Sequence, residues 1–358
     1  MHPKLDLQIV LAATALLPRY GSIVNYLNDD GFNNINLVYN LVDGENLTSM
    51  AKTTGLGILE ISTVFDNIKP DIVVTIADRY ETIATAISAS YMNIPLAHIQ
   101  GGEVTGNIDE KVRHAITKLA DYHFVASKDS LERVIKLGEN PNHVYNTGCP
   151  SIDLAKIVRN TPKLDFNPYE KYKGVGAKPN YSNGYWVVMQ HPVTTEPNQS
   201  RKNIEETLHA TYKINQPIFW FWPNIDGGSD GTSNGIRAFR EKYSLEYFHF
   251  FKNMDPIDFL KLLANSNGIV GNSSVGIREC SFLGVPCINI GNRQKNRCRA
   301  SNVLDVDYNQ KDIMNALRLI IKNGKPKIST IYGQGESGEM IANILSQIPL
   351  IIEKQIHF

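Results

Sequence analysis

Residues 268–279 read Gly268-Ile269-Val270-Gly271-Asn272-Ser273-Ser274-Val275-Gly276-Ile277-Arg278-Glu279, a short apolar run that passes directly into two serines and a helix start. A buried strand feeding a helix is the unit from which parallel sheets are built, because parallel strands need a crossover between them. Free backbone N–H groups at such a helix start, together with the helix dipole, suit a diphosphate. A serine acting as a simple N-cap explains one of the two serines but not the whole arrangement. Glu279 lies just over a turn along the helix, placed to accept hydrogen bonds from a ribose diol. No Gly-Lys-Ser/Thr follows, which argues against a P-loop. The first strand-to-helix turn carries no GxGxxG, so an NAD-binding site is not supported.

Working outward, the same alternation of apolar runs and amphipathic stretches covers the chain. In the first half it predicts strands at Leu7–Ala13, Ile35–Leu41, Asp71–Ala77, Pro95–Ile99 and His123–Ala126, with helices such as 47–68 and 80–92 between them. Residues 161–184, rich in Pro, Lys, Tyr, Asn and Gly and without a period, read as an interdomain linker. A second series follows at Tyr185–Gln190, Pro217–Trp222, Tyr247–Phe251, Gly268–Gly271 and Pro286–Ile290, and helical character returns from Gly338. A chain of 358 residues exceeds what one core usually supports. The expectation is α/β with two doubly wound Rossmann-like domains, 1–165 and 166–358, facing each other across a cleft, the C-terminal helix packing back on the first.

The composition, 42% hydrophobic and 20% charged, is that of a soluble globular enzyme. Lys plus Arg and Asp plus Glu both number 36, so the formal charge is zero, which argues against broad nucleic-acid binding but permits a local cationic pocket. The four cysteines, Cys149, Cys280, Cys287 and Cys298, have no metal-site spacing and read as reduced thiols of a cytoplasmic protein. The apolar run near the N-terminus is too short to span a membrane and reads as a buried first strand rather than a signal peptide.

Ligands of open parallel sheets bind beyond the carboxyl ends of the strands, so polar clusters at those ends are the candidates. Asp78 follows the strand Ile72-Val73-Val74-Thr75, where an N-cap is the plain alternative. After the next strand come Gln100, Gly101, Gly102 and Glu103, then Asp109 and Glu110 ahead of a helix carrying Arg113 and His114. Carboxylates on a ligand-facing loop suit proton transfer, although Asp109 and Glu110 also suit a helix N-terminus. His191 ends another strand, and Pro192 holds it extended so that its side chain projects from the strand end. Arg293, in the loop after the strand that follows the diphosphate helix, is either a cation at the sugar or diphosphate rim or part of a solvated loop.

These clusters, in this order, resemble the hydrolysing UDP-N-acetylglucosamine 2-epimerase family of sialic-acid-type and legionaminic-acid-type sugar biosynthesis. The most specific segments are Asp78-Arg79, HIQGGEVTGNIDEKVRHAITKLA at 98–120, Gly148-Cys149-Pro150, His191-Pro192, GNSSVGIRE at 271–279 and Ile331-Tyr332-Gly333-Gln334-Gly335. The resemblance implies a glycosyltransferase-B-like fold working without metal or cofactor. It implies UDP held by the second domain through Ser273, Ser274, Gly276, Glu279, Asn253 and Arg293. Arg19 of the first strand-to-helix turn would approach the diphosphate. The sugar would face Asp78, Gln100, Glu103 and Asp109, with His191 reaching in. The chain departs from the family pattern at Ala77, where a glycine commonly stands, and at Gln100, where many relatives carry a glutamate. A neutral amide is no general base, which moves that task to Asp109, Asp78 or Glu103.

The implied reaction converts UDP-N-acetylglucosamine to N-acetylmannosamine and UDP, through elimination to a 2-acetamidoglycal and hydration. Also open are the same reaction on a UDP-2,4-diacetamido-2,4,6-trideoxyhexose, a UDP-sugar glycosyltransferase of the same fold, and a non-catalytic UDP-sugar sensor. The expected partners are the UDP-sugar and a second copy or three further copies of the chain, with no nucleic acid and no membrane.

Overall fold

The computed structural model of the chain describes residues 2–17, 23–43, 47–76, 79–105, 108–193, 197–223 and 229–358. Arg19 and Asp78 lie outside the described residues. The chain forms two compact units, one from Met1–Glu103, Ile108–Cys149 and Glu336–Phe358, the other built on Pro150–Gly335.

The first unit alternates strand and helix through β1 (Ile9–Ala12), α1 (Ile23–Asp29), β2 (Ile35–Val38), α2 (Leu47–Ile68), β3 (Val73–Ile76), α3 (Ile83–Tyr91), β4 (Leu96–Ile99), α4 (Ile108–Leu119), β5 (Tyr122–Val125), α5 (Lys128–Lys136) and β6 (Val144–Asn146). β3, β4, β5 and β6 form a parallel sheet in that order, while β1 and β2 pair with each other. Both sheets share one core, in which Val38, Val73, Leu96, Ile61 and Phe65 are buried together. Every residue of β4 and β5 is buried, as expected of strands covered on both faces. α2 buries Ser49, Thr53, Gly57, Ile61 and Phe65, one stripe at four-residue spacing. Gly57 lets α2 approach α3, since a Cβ there would stand 3.0 Å from that of Ala84.

The second unit begins with α6 (Ser151–Asn160) and α7 (Pro168–Lys171), then β7 (Val175–Gly176), β8 (Trp186–Met189), α8 (Ser200–Tyr212), β9 (Ile218–Phe221), α9 (Ser229–Lys242) and β10 (Phe248–Phe251). It continues with α10 (Pro256–Ala264), β11 (Gly268–Gly271), α11 (Ser274–Ile277), α12 (Glu279–Leu283), β12 (Cys287–Ile290), β13 (Val303–Val306) and α13 (Gln310–Asn323). The sheet order is β13-β12-β11-β8-β9-β10-β7, parallel except for β7, which runs antiparallel to β10. The chain therefore winds outward from β8 through β9 and β10, then crosses back to β11 on the other side of β8. The order reverses between β8 and β11, and the carboxyl ends of those two strands define the crevice where ligands of such sheets bind. Trp186, Val188, Trp220, Phe248, Phe250, Val270 and Ile288 form the core beneath it with Leu208 and Leu317. Each such side chain stabilises by about 1.5–3 kcal/mol on burial.

Among the differences from the sequence reading, β6, β7 and β13 were not anticipated. They are very short or lie at a sheet edge, where apolar patterning is weakest. The stretch read as a linker is part of the second unit: β7 pairs with β10, and the Tyr172 hydroxyl donates to Asp258 at 2.6 Å. The chain enters the second unit at Pro150 rather than near 165, and α6 packs on α10 and α12. The last helix, α14 (Ser337–Leu345), belongs to the first unit, where Ile341 is buried with Ala97, Ile99, Tyr122 and Phe124.

Candidate active site

At the end of β11 the backbone comes unusually close to β8. Gly271 has φ 139°, and a Cβ there would stand 2.0 Å from the carbonyl oxygen of Met189, so only glycine fits. Asn272 follows, fully buried, and its amide takes both main-chain groups of His191. Its Oδ1 accepts from His191 N at 2.7 Å and its Nδ2 donates to His191 O at 2.9 Å. The carbonyl of Asn272 accepts from Arg293 Nη1 at 3.2 Å and from Gln294 Nε2 at 2.9 Å. One buried asparagine thus gathers the strand end that bears His191, the serine turn and the loop that bears Arg293.

Ser273 occupies the extended position before α11 (φ −75°, ψ 142°), and its hydroxyl does not cap that helix. The Ser274 hydroxyl accepts from Arg278 Nη2 at 3.1 Å. Arg278 also lies beside Glu279, Nε to Oε2 at 3.8 Å, and that carboxylate is buried. Gly276 sits where α11 crosses β12: a Cβ would meet Cys287 Sγ at 2.4 Å, and the Gly276 carbonyl accepts from Asn302 Nδ2 at 2.9 Å. Its part is to let the turn pack. Asn253 stands exposed just past β10, two strands away from β8, with its Oδ1 accepting from Met254 N at 2.9 Å.

His191 is only 6% exposed. Burial, and then the charge of Arg293, push its imidazole down to about 3, so it is neutral at physiological pH. A neutral imidazole offers one N–H and one acceptor nitrogen, which suits hydrogen bonding to a leaving oxygen rather than supply of a full positive charge. Arg278 and Arg293 are cations at this end of the sheet.

In the first unit the corresponding strand end is that of β4. Gln100 takes a left-handed backbone (φ 67°), donates its N–H to Phe124 O at 2.8 Å, and donates from Nε2 to Cys149 Sγ at 3.0 Å. At Gly102 (φ 74°) a Cβ would stand 2.4 Å from Ser130 O, which explains the second glycine of the pair. Glu103 is buried, and its carbonyl accepts from Nη1 of the fully buried Arg113 at 2.8 Å. Asp109 lies half-buried in the first turn of α4, and its neighbour Glu110 meets His114 Nε2 at 3.4 Å. Arg79, exposed beyond β3, pairs with Glu81 at 2.7 Å.

The structure therefore gathers Gln100, Glu103 and Asp109 on one loop and helix start, and His191, Ser273, Ser274, Gly276, Glu279 and Arg293 at one end of the other sheet. The sequence reading had not singled out Asn272, Gln294 or Arg278. A polar residue at the end of an apolar strand, as Asn272 is, was the available signal. Cys149, Cys280 and Cys287 are buried, and burial pushes the Cys287 thiol up to about 12. Among the described residues no three His, Cys, Asp or Glu come together as a metal site, and no helix is long and apolar enough to cross a membrane.

Two parallel-sheet units, one with a polar turn where its strand order reverses, define a protein of the doubly wound α/β class. The UDP-N-acetylglucosamine 2-epimerase family model matches residues 1–346, and the chain belongs to that family. It is 33% identical to the hydrolysing UDP-N,N'-diacetylbacillosamine 2-epimerase of Legionella pneumophila, over 97% of this chain and 89% of that protein. It is 30% identical to the UDP-N-acetylglucosamine 2-epimerase of Neisseria meningitidis, over 96% of this chain and 88% of that protein. The fold matches the structure of Methanocaldococcus jannaschii UDP-GlcNAc 2-epimerase in complex with UDP-GlcNAc and UDP, with a TM-score of 0.73, 20% identity and coverage of 95% of this chain and 99% of that one.

Proposed function

We propose that this chain is a hydrolysing UDP-sugar 2-epimerase that converts UDP-N-acetylglucosamine to N-acetylmannosamine and UDP. The observation that carries the reading is the Asn272-centred turn, which sets His191, two serines and Arg293 around the reversal point of the second sheet. In this reading the C1–O bond breaks and UDP departs with its electron pair, while a carboxylate takes the C2 proton and a 2-acetamidoglycal remains. Water then adds, a proton reaching C2 from the opposite face and hydroxide reaching C1.

A C2–H beside an acetamide is a poor acid, so C1–O cleavage runs ahead of proton loss and stabilising the departing diphosphate is a large part of catalysis. Ser273, Ser274 and Arg293 serve it, with Arg19, and neutral His191 donates a hydrogen bond to it. Glu279 takes the ribose, and Asn253 the uracil. Asp109 and Asp78 supply the carboxylate work, with Glu103 on the loop ahead of Asp109. Gln100, engaged with Cys149, binds rather than exchanges protons.

A second substrate is favoured by one observation, the 33% identity to the diacetylbacillosamine enzyme along nearly the whole chain. Proton NMR in heavy water with UDP-N-acetylglucosamine and with its 4-acetamido-6-deoxy analogue separates the two. Free sugar carrying deuterium at C2, with UDP, is expected, and the faster substrate names the sugar. Saturable binding of both without UDP release would overturn the epimerase reading in favour of a sensor. UDP release only with an added acceptor would point to a transferase.

A further inference from the structure

The C-terminal segment beyond α14 has no regular secondary structure, yet it is tied down along its length. The Tyr122 hydroxyl donates to Pro349 O, and His357 N donates to Gly138 O at 2.9 Å. Between them Lys354 turns inward. Its ammonium donates to Thr117 O at 3.2 Å and to Ala120 O, at the C-terminal end of α4, and stands 2.5 Å from Glu139 Oε2. Glu139 is buried and also meets Lys118 Nζ at 2.5 Å and His123 Nε2 at 3.0 Å.

The carbonyls of a helix's last turn have no partner within the helix, and a cation there satisfies them and complements the dipole. From that end of α4 a line of hydrogen bonds leads to the acidic loop. The Thr117 hydroxyl donates to Arg113 O at 3.0 Å and stands 3.2 Å from His98 Nδ1. Arg113 Nη1 in turn donates to Glu103 O at 2.8 Å. Arg113 is fully buried, so its position is set by these contacts and not by solvent.

We propose that Lys354 is a positioning residue: through Thr117 and Arg113 it fixes where α4 holds Asp109 and where the loop at Glu103 lies. The proposal rests on the epimerase reading for its catalytic consequence. Lys354 is separable from the fold itself, because Glu139 keeps Lys118 and His123 when Lys354 is removed, whereas the α4 carbonyls lose their cation. Displacement of a catalytic group by about 1 Å is enough to lower turnover up to 100-fold, so a loss of roughly tenfold or more is expected.

The test compares wild type with Lys354→Met and Lys354→Arg on the full chain. The expected result for Lys354→Met is a fall in kcat of about tenfold or more, KM and UDP affinity unchanged, and faster amide exchange across residues 103–113. Lys354→Arg, which keeps the charge, is expected to restore most of the loss. Unchanged kcat, a loss carried wholly by KM, or no recovery in Lys354→Arg would each overturn the proposal. Should Lys354→Met not fold, Lys354→Gln takes its place with the same expected readings. If the wild type turns over no UDP-sugar, the epimerase reading falls. Amide exchange then decides this proposal alone, faster exchange at 103–113 supporting it and unchanged exchange overturning it.

Discussion

The side-chain amide of Asn272 pairs with both main-chain groups of His191, accepting at 2.7 Å and donating at 2.9 Å, and this two-point contact ties the end of β8 to the end of β11. The isosteric Asn272→Asp substitution replaces the donor with a second acceptor facing a carbonyl. Leaving one buried polar group unsatisfied costs about 1–3 kcal/mol. A loss of that size in denaturant unfolding is expected, together with weaker UDP binding by calorimetry. Unchanged UDP affinity would mean that the contact has no part in shaping the site.

Because burial and Arg293 hold His191 down to about 3, its ring resonances are expected to stay in the neutral position from pH 8 to pH 5. The sign for stability follows from a depressed histidine. The unfolded chain binds its proton near the ordinary value, about 6.5, while the folded chain does not. The contribution of neutral His191 is therefore fully present above that value and is lost as pH falls toward about 3. NMR titration reads the first effect, and a midpoint near 6.5 would contradict the burial argument.

Gly276→Ala places a methyl 2.4 Å from Cys287 Sγ. Overpacking of this kind typically costs about 1–3 kcal/mol, and the turn at Ser273 and Ser274 is expected to shift with it. Adding Cys287→Ala to the same chain removes the clashing sulfur. The double variant is expected to recover most of the lost melting temperature and UDP affinity, and failure to recover either would place the strain elsewhere.

Asp109→Asn keeps the size of the side chain and removes its basicity. If Asp109 exchanges protons, steady-state UDP release falls on the order of 100-fold or more while UDP affinity stays within twofold. A parallel fall in affinity would instead make Asp109 a binding group.

Glu139 is buried, which raises its carboxyl, but hydrogen bonds from His123, Lys118 and Lys354 prevail and bring it down to about 2. A depressed carboxylate contributes stability that is present above its unfolded value and is lost as pH falls through the folded one. The stability gap between wild type and Glu139→Gln is thus expected to be widest near neutrality and to narrow from about pH 4.3 toward about 2. Acid-to-neutral unfolding series measure it, and a gap independent of pH would show that the cluster does not depend on the carboxylate's charge.

Much of the fold was legible because buried parallel strands are apolar runs by necessity. β4, β9, β10, β11 and β12 fall within the stretches that the apolar runs mark, and β5 begins one residue before its own. The turn at Gly271–Ser274 was legible for the same reason, a run of apolar residues ending in polar ones. The separate pairing of β1 with β2, the edge strands β7 and β13, and the entry of the chain into the second unit at Pro150 were not. Edge strands are short and half-exposed, and the side a helix joins depends on which surface its apolar stripe meets.

The amino-acid sequence by itself determined the alternation of strands and helices, the glycines where chains must approach, and the identity of the polar residues at the strand ends. It did so because these are local properties, set by side-chain periodicity and backbone freedom within a few residues. Only the tertiary structure decided that Asn272 holds His191, 81 residues away, and that Lys354 caps α4 at Thr117, 237 residues away. Such pairings depend on strand order and on the packing of distant segments into one core, and no local pattern carries that information.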